Sequence, residues 1–352
     1  MTLSLTPDFI PTGFSPIKWQ DNQLWLLDQR LLPQQETWIN YQAPEQVANA
    51  ITDMVVRGAP AIGITAAYGM LLSAMQSPAD NAYQHAMLEK LSQSRPTAIN
   101  LNWALAQVND QLQEVNSDSL IEKLYALATQ IHQQDIDNCQ AMAKHGAEAI
   151  ARTGTKNKVY THCNAGALAT GGHGTALGVI RTAYAQGCIE HVFAGETRPW
   201  FQGARLTCWE MAREGIPTTL VTEGAAGHTM RQETPNWVIV GADRITADGS
   251  VANKIGTYNL AILAKHHGCK VMVAAPSSTF DLSLTDGIHI PIEQRDAQEV
   301  THFQSQPIAA QGINVANPSF DVTPAELIDV IVTEQGIIES PDTETIAQHF
   351  SR

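Results

Sequence analysis

The chain has 352 residues, of which 44% are hydrophobic and 16% charged, and its formal net charge is -14 at pH 7. This composition indicates a globular rather than a disordered protein, and the length favours two domains. Such an acidic surface argues against nonspecific binding to DNA or to anionic membranes, so we expect neither nucleic acid nor a membrane as a partner. An anionic substrate would need a local positive cluster.

The five cysteines are odd in number, scattered and never spaced as C-x-x-C, which is typical of reduced thiols in a cytosol-like compartment. The N-terminal segment MTLSLTPDFIPTGF lacks the pattern of a secretory signal, and no uncharged apolar stretch approaches membrane-spanning length. We therefore expect a cytoplasmic protein. The cysteines are Cys139, Cys163, Cys188, Cys208 and Cys269.

The N-terminal part predicts a small antiparallel sheet followed by helices. Residues 15–42 contain two strand-like runs joined by the turn composition Gln20-Asp21-Asn22, and ETWINY offers a third strand. Residues 44–152 show helical spacing of apolar side chains, including the nearly all-apolar run AIGITAAYGMLLSAM, which predicts a buried helix. The stretch SDSLIEKLYALATQIHQQDIDNCQAMAKHGAEAIA predicts one amphipathic helix of about nine turns.

From about residue 153 the rhythm changes, and short apolar runs alternate with helical segments. The runs are KVYTHC, HVFAG, TTLVTEG, NWVIVGAD, KVMVAAP and LIDVIVTEQG. This alternation predicts right-handed crossovers and a parallel sheet covered on both faces. The expected fold class is α/β. A mainly helical domain with a small antiparallel sheet would occupy residues 1–152, and a Rossmann-like domain residues 153–352.

Reactive residues follow several of these strands, at the carboxyl ends where open parallel sheets bind ligands. Cys163 follows KVYTHC and precedes a glycine-rich turn. If the next helical segment points its N-terminus at the thiol, the pKa of Cys163 should be lowered and its reactivity raised. The alternative is a buried core cysteine, which is how we interpret the other four.

Asp243 is the strongest candidate among the carboxylates, because it follows the apolar run Val238–Ala242. To act as a general acid at neutral pH, an aspartate needs its pKa raised by about three units, and desolvation can supply such a shift. The alternative is that Asp243 caps the next helix or pairs with Arg244.

Cations near probable helix starts could form a phosphate site. Arg57 precedes a glycine turn and the buried helix, and its flanks are apolar. Arg95 precedes Pro96, and Asn253-Lys254 are expected to open the helix NKIGTYNLAILAKHHG. Helix N-termini combined with cations bind anions. The alternative for each arginine is a solvated surface charge.

Two other functions fit the sequence less well. The glycines of LATGGHGTALG, followed by Glu196, resemble a nicotinamide fingerprint, but their spacing is G-x-G-x-x-x-G. A zinc site would use four residues that are near in sequence but match no ligand spacing. These residues are His162, Cys163, His173 and His191.

Eight segments in order resemble the methylthioribose-1-phosphate isomerases, aldose–ketose isomerases of methionine salvage. They are RGAPAIG, SRPTAINLNWAL, THCNAGALAT, GTALGVIR, ETRPWFQGARLTCWE, GADRITADGSVANKIGTYNLA, VAAPSSTFD and NPSFDVTPAELI, between about residues 57 and 328. The resemblance implies a dimeric enzyme without metal or organic cofactor. The same fold serves ribose-1,5-bisphosphate isomerases and regulatory subunits of the eukaryotic initiation guanine-nucleotide exchange factor.

The resemblance also implies roles for individual residues. The cysteine of THCNAG and the aspartate of GADRI are the family's catalytic pair, and they match Cys163 and Asp243. The implied substrate contacts are Arg57, Gly58, Ala59, Arg95, Gln202, Asn253 and Lys254. One departure lies nearby: Glu223-Gly224 stand where relatives often carry Asp-Asn or Asp-Ser, which leaves the lining of the pocket open.

The implied reaction converts 5-methylthioribose 1-phosphate into 5-methylthioribulose 1-phosphate. We expect Asp243 to protonate the ring oxygen, with Cys163 assisting at C1–C2 through a proton shuttle or a stabilised hydride shift. The alternatives are an isomerase of another ribose 1-phosphate, such as 5-deoxyribose 1-phosphate or ribose 1,5-bisphosphate, and a non-catalytic regulatory subunit. Retention of both reactive residues argues against the regulatory subunit.

Overall fold

The computed structural model describes residues 6–96, 98–114 and 119–351. The chain begins with a three-stranded antiparallel sheet, as predicted. Its first two strands are joined by Asp21-Asn22, both with positive φ (53° and 57°), which is the geometry of a tight hairpin turn. The strands are β1 (Ile17–Gln20), β2 (Gln23–Leu27) and β3 (Trp38–Tyr41).

Five helices follow the small sheet. They are α1 (Pro44–Thr52), α2 (Ala59–Gln76), α3 (Asn81–Gln93), α4 (Ile99–Glu114) and α5 (Leu120–Ala151). Helix α2 is buried along most of its length, because its side chains are nearly all small or apolar and α1, α4 and α5 surround it. The predicted buried helix and the predicted long amphipathic helix are both confirmed.

A seven-stranded sheet dominates the rest of the chain. Its strands are β4 (Asn157–Thr161), β5 (Ile189–Gly195), β6 (Thr218–Val221), β7 (Trp237–Val240), β10 (Lys270–Ala274), β15 (Val330–Thr333) and β16 (Gly336–Glu339). Its spatial order is β16-β15-β10-β7-β4-β5-β6, with only the edge strand β16 antiparallel. Counted in chain order, the six parallel strands have the order 3-2-1-4-5-6 of a doubly wound fold.

Helices cover both faces of this sheet, as its continuous apolar strands require. One core lies beneath α5, α6 and α7, and the other beneath α8, α9 and the C-terminal helix α11. These helices are α6 (Ala176–Ala185), α7 (Cys208–Arg213), α8 (Ala226–Glu233), α9 (Thr257–His267) and α11 (Thr343–Phe350). A π-helical turn, Gly203–Thr207, leads into α7. No helix in the described part of the chain has the length and apolar character needed to cross a bilayer.

A second sheet of four short strands was not predicted. It has the order β11-β8-β9-β14 and consists of β8 (Arg244–Thr246), β9 (Val251–Lys254), β11 (Phe280–Asp281) and β14 (Phe320–Thr323). The expectation that Asn253 and Lys254 open a helix is therefore wrong. They end β9, which pairs with both β8 and β14, and α9 begins only at Thr257.

The remaining elements are minor. A short helix, α10 (Gln298–Thr301), precedes a two-stranded hairpin of β12 (His302–Phe303) and β13 (Gln306–Pro307). Together with the loops on either side, they lie between the second sheet's strands β11 and β14 in the sequence.

Trp19 should be a principal support of the small sheet against the helices. It is fully buried, and its ring is stacked on Tyr68 of α2 at 5.4 Å between centroids and 7° between planes. We expect Trp19→Ala to lower the free energy of unfolding by about 3–5 kcal/mol. The matched control is Trp103→Ala, whose ring is 42% exposed and whose loss should cost about 1 kcal/mol or less. Urea denaturation followed by circular dichroism measures both, and equal losses would contradict this role.

Candidate active site

The crevice that positions the site lies between β4 and β7. These strands are adjacent, yet the chain continues from β4 to β5 on one side and from β7 to β10 on the other. The loops after them therefore diverge, and such switch points leave room for a ligand at the carboxyl ends of the strands. Thr161 aligns with Ile239 across this pair, so Cys163 and Asp243 follow neighbouring strand ends.

All nine residues singled out in the sequence lie on one cavity, whose volume is about 970 Å³ including the part open to solvent. The helical part supplies four of them: Arg57, Gly58, Ala59 and Arg95. The sheet region supplies the other five: Cys163, Gln202, Asp243, Asn253 and Lys254. The structure thus brings them together, while their roles in binding and catalysis stay predictions.

Cys163 is held in a left-handed backbone conformation, with φ of 60°, which is uncommon for a residue with a side chain. Its backbone is fixed at both ends by hydroxyl groups. Its N–H donates to Thr197 Oγ1 (2.8 Å), and its carbonyl accepts from Thr207 Oγ1 (2.5 Å). These bonds fix the backbone of a residue that is only 8% exposed and lines the cavity. Strained residues held in this way are common at functional sites.

The predicted activation of Cys163 by a helix N-terminus is wrong. A short 3-10 turn, Ala167–Ala169, follows the thiol, and α6 begins only at Ala176. Burial instead raises the pKa of Cys163, and the opposing charges of Arg57 and Lys254 do not reverse this effect. The resting thiol is therefore protonated.

Asp243 lies at the start of the hairpin β8–β9, where its backbone N–H donates to the carbonyl of Ala252 (2.9 Å). No helix of the described residues begins at Asp243, and the carboxylate that Arg244 contacts is that of Asp281, at 3.3 Å. Burial raises the pKa of Asp243, as expected for a general acid, while the nearby cations Lys254, Arg57 and Arg95 oppose the rise.

Arg57 spans from the helical part to the loop after β4. Its Nη1 donates to Asn164 Oδ1 and its Nη2 to the Asn164 carbonyl, both at 2.7 Å. Gly58 permits this approach because its φ is 92° and a Cβ there would lie 2.5 Å from Ala169 Cα. The first turn of α2 begins at the cavity, where the positive end of its dipole adds to the arginine charge.

Lys254 is the last residue of β9 in the second sheet and lies on the cavity wall with Cys163 and Asp243. Its Nζ donates to the carbonyl of Ser319 (3.0 Å) and lies 4.5 Å from the ring centre of Phe320. Burial lowers the pKa of Lys254, and the acidic groups of Cys163 and Asp243 oppose this change. Its neighbour Asn253 donates to Thr257 Oγ1 (3.0 Å), which joins β9 to the start of α9.

Four polar atoms on the cavity residues are buried without a hydrogen-bond partner among the described residues: Arg95 Nη1, Gln202 Oε1, Thr279 Oγ1 and Ser319 Oγ. Orphaned buried polar atoms are rare in folded proteins and call for an explanation. These atoms include a donor, an acceptor and two hydroxyl groups that can do either, and all belong to the cavity wall, so a polar ligand is the simplest explanation.

The sequence missed several residues of the cavity wall. Three of them lie inside the quoted motifs but had no assigned role: Asn164, Trp200 and Asn317. Arg295 precedes α10 and Glu299 lies in it, and no pattern pointed to either residue. Glu223, the departure noted above, is not among the described residues that line the cavity. Its carboxylate accepts instead from the backbone N–H of Arg198 (2.6 Å).

Arg295 is already engaged by acidic groups. Its Nε donates to both carboxylate oxygens of Glu299 at 3.0 Å, and its Nη1 lies 3.5 Å from Glu293. Trp200 also donates from its indole nitrogen to Glu299 (2.9 Å). In the described ranges, no group of three or more His, Cys, Asp or Glu side chains is arranged to hold a metal ion.

A model of the initiation factor 2 subunit family matches residues 55–340. Curated methylthioribose-1-phosphate isomerases from Azotobacter vinelandii and Pseudomonas aeruginosa are each 53% identical over 342 residues, which cover 96% of this chain and 95% of theirs. The chain belongs to the initiation factor 2 subunit family and, within it, to the methylthioribose-1-phosphate isomerases. The resemblance found in the sequence motifs is thereby confirmed.

Solved structures agree with this placement. The 5-methylthioribose 1-phosphate isomerase of Pyrococcus horikoshii OT3 superposes with a TM-score of 0.89 at 36% identity, covering 100% of this chain and 99% of that one. The delta subunit of translation initiation factor eIF-2B from A. fulgidus has a TM-score of 0.83 at 38% identity, covering 96% of this chain and 100% of that one.

The raised pKa of Cys163 predicts how its alkylation depends on pH. Since only the thiolate reacts, iodoacetamide should modify Cys163 slowly at neutral pH, with a rate that rises at a higher pH than for free cysteine. Lys254→Met should shift this rise further upward, because a cation that lowers the pKa is removed. Peptide mass spectrometry measures the rates, and rapid alkylation at pH 7 would contradict burial as the dominant effect.

Proposed function

We propose that this protein is an aldose–ketose isomerase that converts 5-methylthioribose 1-phosphate into 5-methylthioribulose 1-phosphate in methionine salvage. Asp243 acts as general acid and base, and Cys163 is its catalytic partner. The observation that carries the proposal is the position of these two side chains at neighbouring strand ends, on one cavity with three cations from both parts of the chain.

The substrate explains why a buried acid is needed. A furanose with phosphate on its anomeric carbon cannot open spontaneously, so the ring oxygen must be protonated as the ring C–O bond breaks. Burial raises the pKa of the Asp243 carboxyl group, which favours its protonated form and so its use as a proton donor. Asp243 then accepts the proton of the C2 hydroxyl as hydrogen moves from C2 to C1.

Substrate binding favours the protonated form of Asp243. Lys254, Arg57 and Arg95 each lower the pKa of Asp243. A phosphate dianion bound among them offsets their charge, so the pKa of Asp243 rises when the substrate arrives. The protonated fraction of Asp243 is therefore highest when the substrate is bound.

The cations suit one phosphate rather than two. Arg57, Arg95 and Lys254 are not paired with a carboxylate by a direct ion pair among the described residues, whereas Arg295 is held by Glu299 and Glu293. Each charge-assisted hydrogen bond contributes about 1.5–3 kcal/mol, so two or three can hold a phosphate on an acidic protein. A second phosphate at C5 would lack comparable partners.

A recess beside Asp243 offers apolar side chains to a methylthio group. It opens next to the main cavity, with which it shares Arg95 and Asp243, and its wall also includes Arg244 and apolar side chains from three parts of the chain. These apolar side chains are Ile62, Ala98, Ile290, Pro291 and Phe320. Burial of a methylthio group against them is favourable.

The organisation of the chain fits this proposal. We propose two domains, residues 1–152 and 153–352, since α5 ends at Ala151, β4 begins at Asn157, and both sides contribute to the cavity. We also propose that the enzyme is a cytoplasmic homodimer, as the motifs of its family imply.

A comparison of substrates tests the proposed function. The protein should turn over 5-methylthioribose 1-phosphate with a higher kcat/KM than 5-deoxyribose 1-phosphate, and ribose 1,5-bisphosphate should be the poorest substrate. Loss of the buried methylthio group should cost about 1–3 kcal/mol, or roughly 10- to 200-fold in kcat/KM. The ketose product is measured by proton NMR. A preference for the bisphosphate would reverse the assignment at C5.

Replacement of the acid tests the mechanism. Asp243→Asn keeps the size of the side chain but removes the titratable proton, so we expect kcat to fall by about a hundredfold or more with the thermal stability preserved. Asp137→Asn, at an exposed position on α5, is the matched control and should retain full activity. Initial rates at saturating substrate measure both. Near-normal turnover of the Asp243 variant would exclude it as the general acid.

A further inference from the structure

We propose that Glu210 is a positioning residue for the active site: it fixes the orientation of the Asn164 amide and through it the guanidinium of Arg57 beside Cys163. This inference rests on the proposed function, because it concerns the same site. Glu210 lies on α7 and is not among the described residues that line the cavity, so it acts through Asn164 rather than on the substrate.

The carboxylate of Glu210 gathers donors from the loop that follows Cys163. It is 2% exposed, yet it accepts from Asn164 Nδ2 (2.8 Å), from the backbone N–H of Ala167 (2.8 Å) and from that of Leu168 (3.2 Å). Arg181 of α6 supplies the compensating charge, with Nη2 at 3.1 Å. A buried carboxylate with its acceptor sites filled in this way holds its partners firmly.

Asn164 lies between two groups of fixed polarity. A carboxylate can only accept hydrogen bonds, and a guanidinium can only donate them. The side-chain amide therefore has one orientation that satisfies both: its NH₂ faces Glu210 and its oxygen faces Arg57 Nη1 at 2.7 Å. If the amide turned over, two donors would face each other at Arg57.

The glycine of the CNAG motif has its explanation in the same carboxylate. A Cβ on Gly166 would lie 2.3 Å from both carboxylate oxygens of Glu210, so only glycine lets the loop close around it. The loop from Cys163 to Leu168 is thus built around Glu210. The close packing of this loop on Glu210 fixes the orientation of the Asn164 side-chain amide, because no space is left for a different arrangement.

An exchange of amide and carboxylate tests this polarity. In Glu210→Gln, the new NH₂ group faces donors of the surrounding loop or of Arg181, whichever way the amide is turned. In Asn164→Asp, the new carboxylate faces the carboxylate of Glu210. Each should lower kcat/KM for 5-methylthioribose 1-phosphate by about 10- to 100-fold and weaken the affinity for inorganic phosphate, which needs a fixed Arg57. In the double variant, the NH₂ group of the new glutamine can donate to the new carboxylate at position 164. That carboxylate also offers an acceptor to Arg57, and the net charge is unchanged.

We therefore expect E210Q/N164D to recover at least about tenfold in kcat/KM over either single variant, a strongly non-additive result. The matched control is Glu214→Gln. Glu214 also contacts Arg181 but makes no hydrogen bond to the described residues of the loop after Cys163, so this variant should keep full activity. Should E210Q fail to fold, the comparison of N164D with the double variant carries the same test.

The proposal is overturned if E210Q stays within twofold of the original kcat/KM, or if the double variant is as impaired as the two single effects combined. Calorimetric titration with inorganic phosphate repeats the cycle without turnover. If the unaltered protein does not isomerise 5-methylthioribose 1-phosphate, the proposed function fails, and the phosphate affinities still decide the role of Glu210. Crystal structures of the variants should show Arg57 displaced in E210Q and returned in the double variant.

Discussion

The reversal of strand order between β4 and β7 is the constraint on which the site depends. Because the chain leaves these neighbouring strands in opposite directions, no crossover covers the crevice between them. Cys163 and Asp243 reach it from either side, and the helical part closes it with Arg57 and Arg95. The cations therefore come mainly from one part of the chain and the reactive groups from the other, so the cavity exists only when the two are packed together.

Burial acts in the same sense on three titratable groups of the site. It raises the pKa of Asp243 and of Cys163 and lowers that of Lys254, so the uncharged form of each is favoured. The charges limit one another, since Lys254 opposes the shifts of both acids. These groups are thus electrostatically coupled, and a dianionic ligand bound among them would shift the pKa of each one.

Much of this arrangement could be predicted from the sequence, because strand–helix alternation and the carboxyl-end rule act on long, regular segments. The positions of Cys163, Asp243 and Arg57 follow from such segments. The sequence pattern predicts a helix at Asn253 and Lys254, where the structure has the end of β9. The short strands of the second sheet depend on tertiary pairing, so they leave little pattern in the sequence. Glu210 and Arg295 could not be recognised, because a single charged residue in a helix or loop shows its partners only in three dimensions.

Helix α5 has a mechanical consequence. Its 32 residues form one continuous rod, about 48 Å long at the usual rise per residue. It packs against α2 and α4, and also against α6 and β15 of the large sheet. The same helix therefore couples the part of the chain that supplies Arg57 and Arg95 to the sheet that supplies Cys163 and Asp243. A substitution that shortens or kinks α5 would change the spacing between these two sets of side chains without touching the cavity itself.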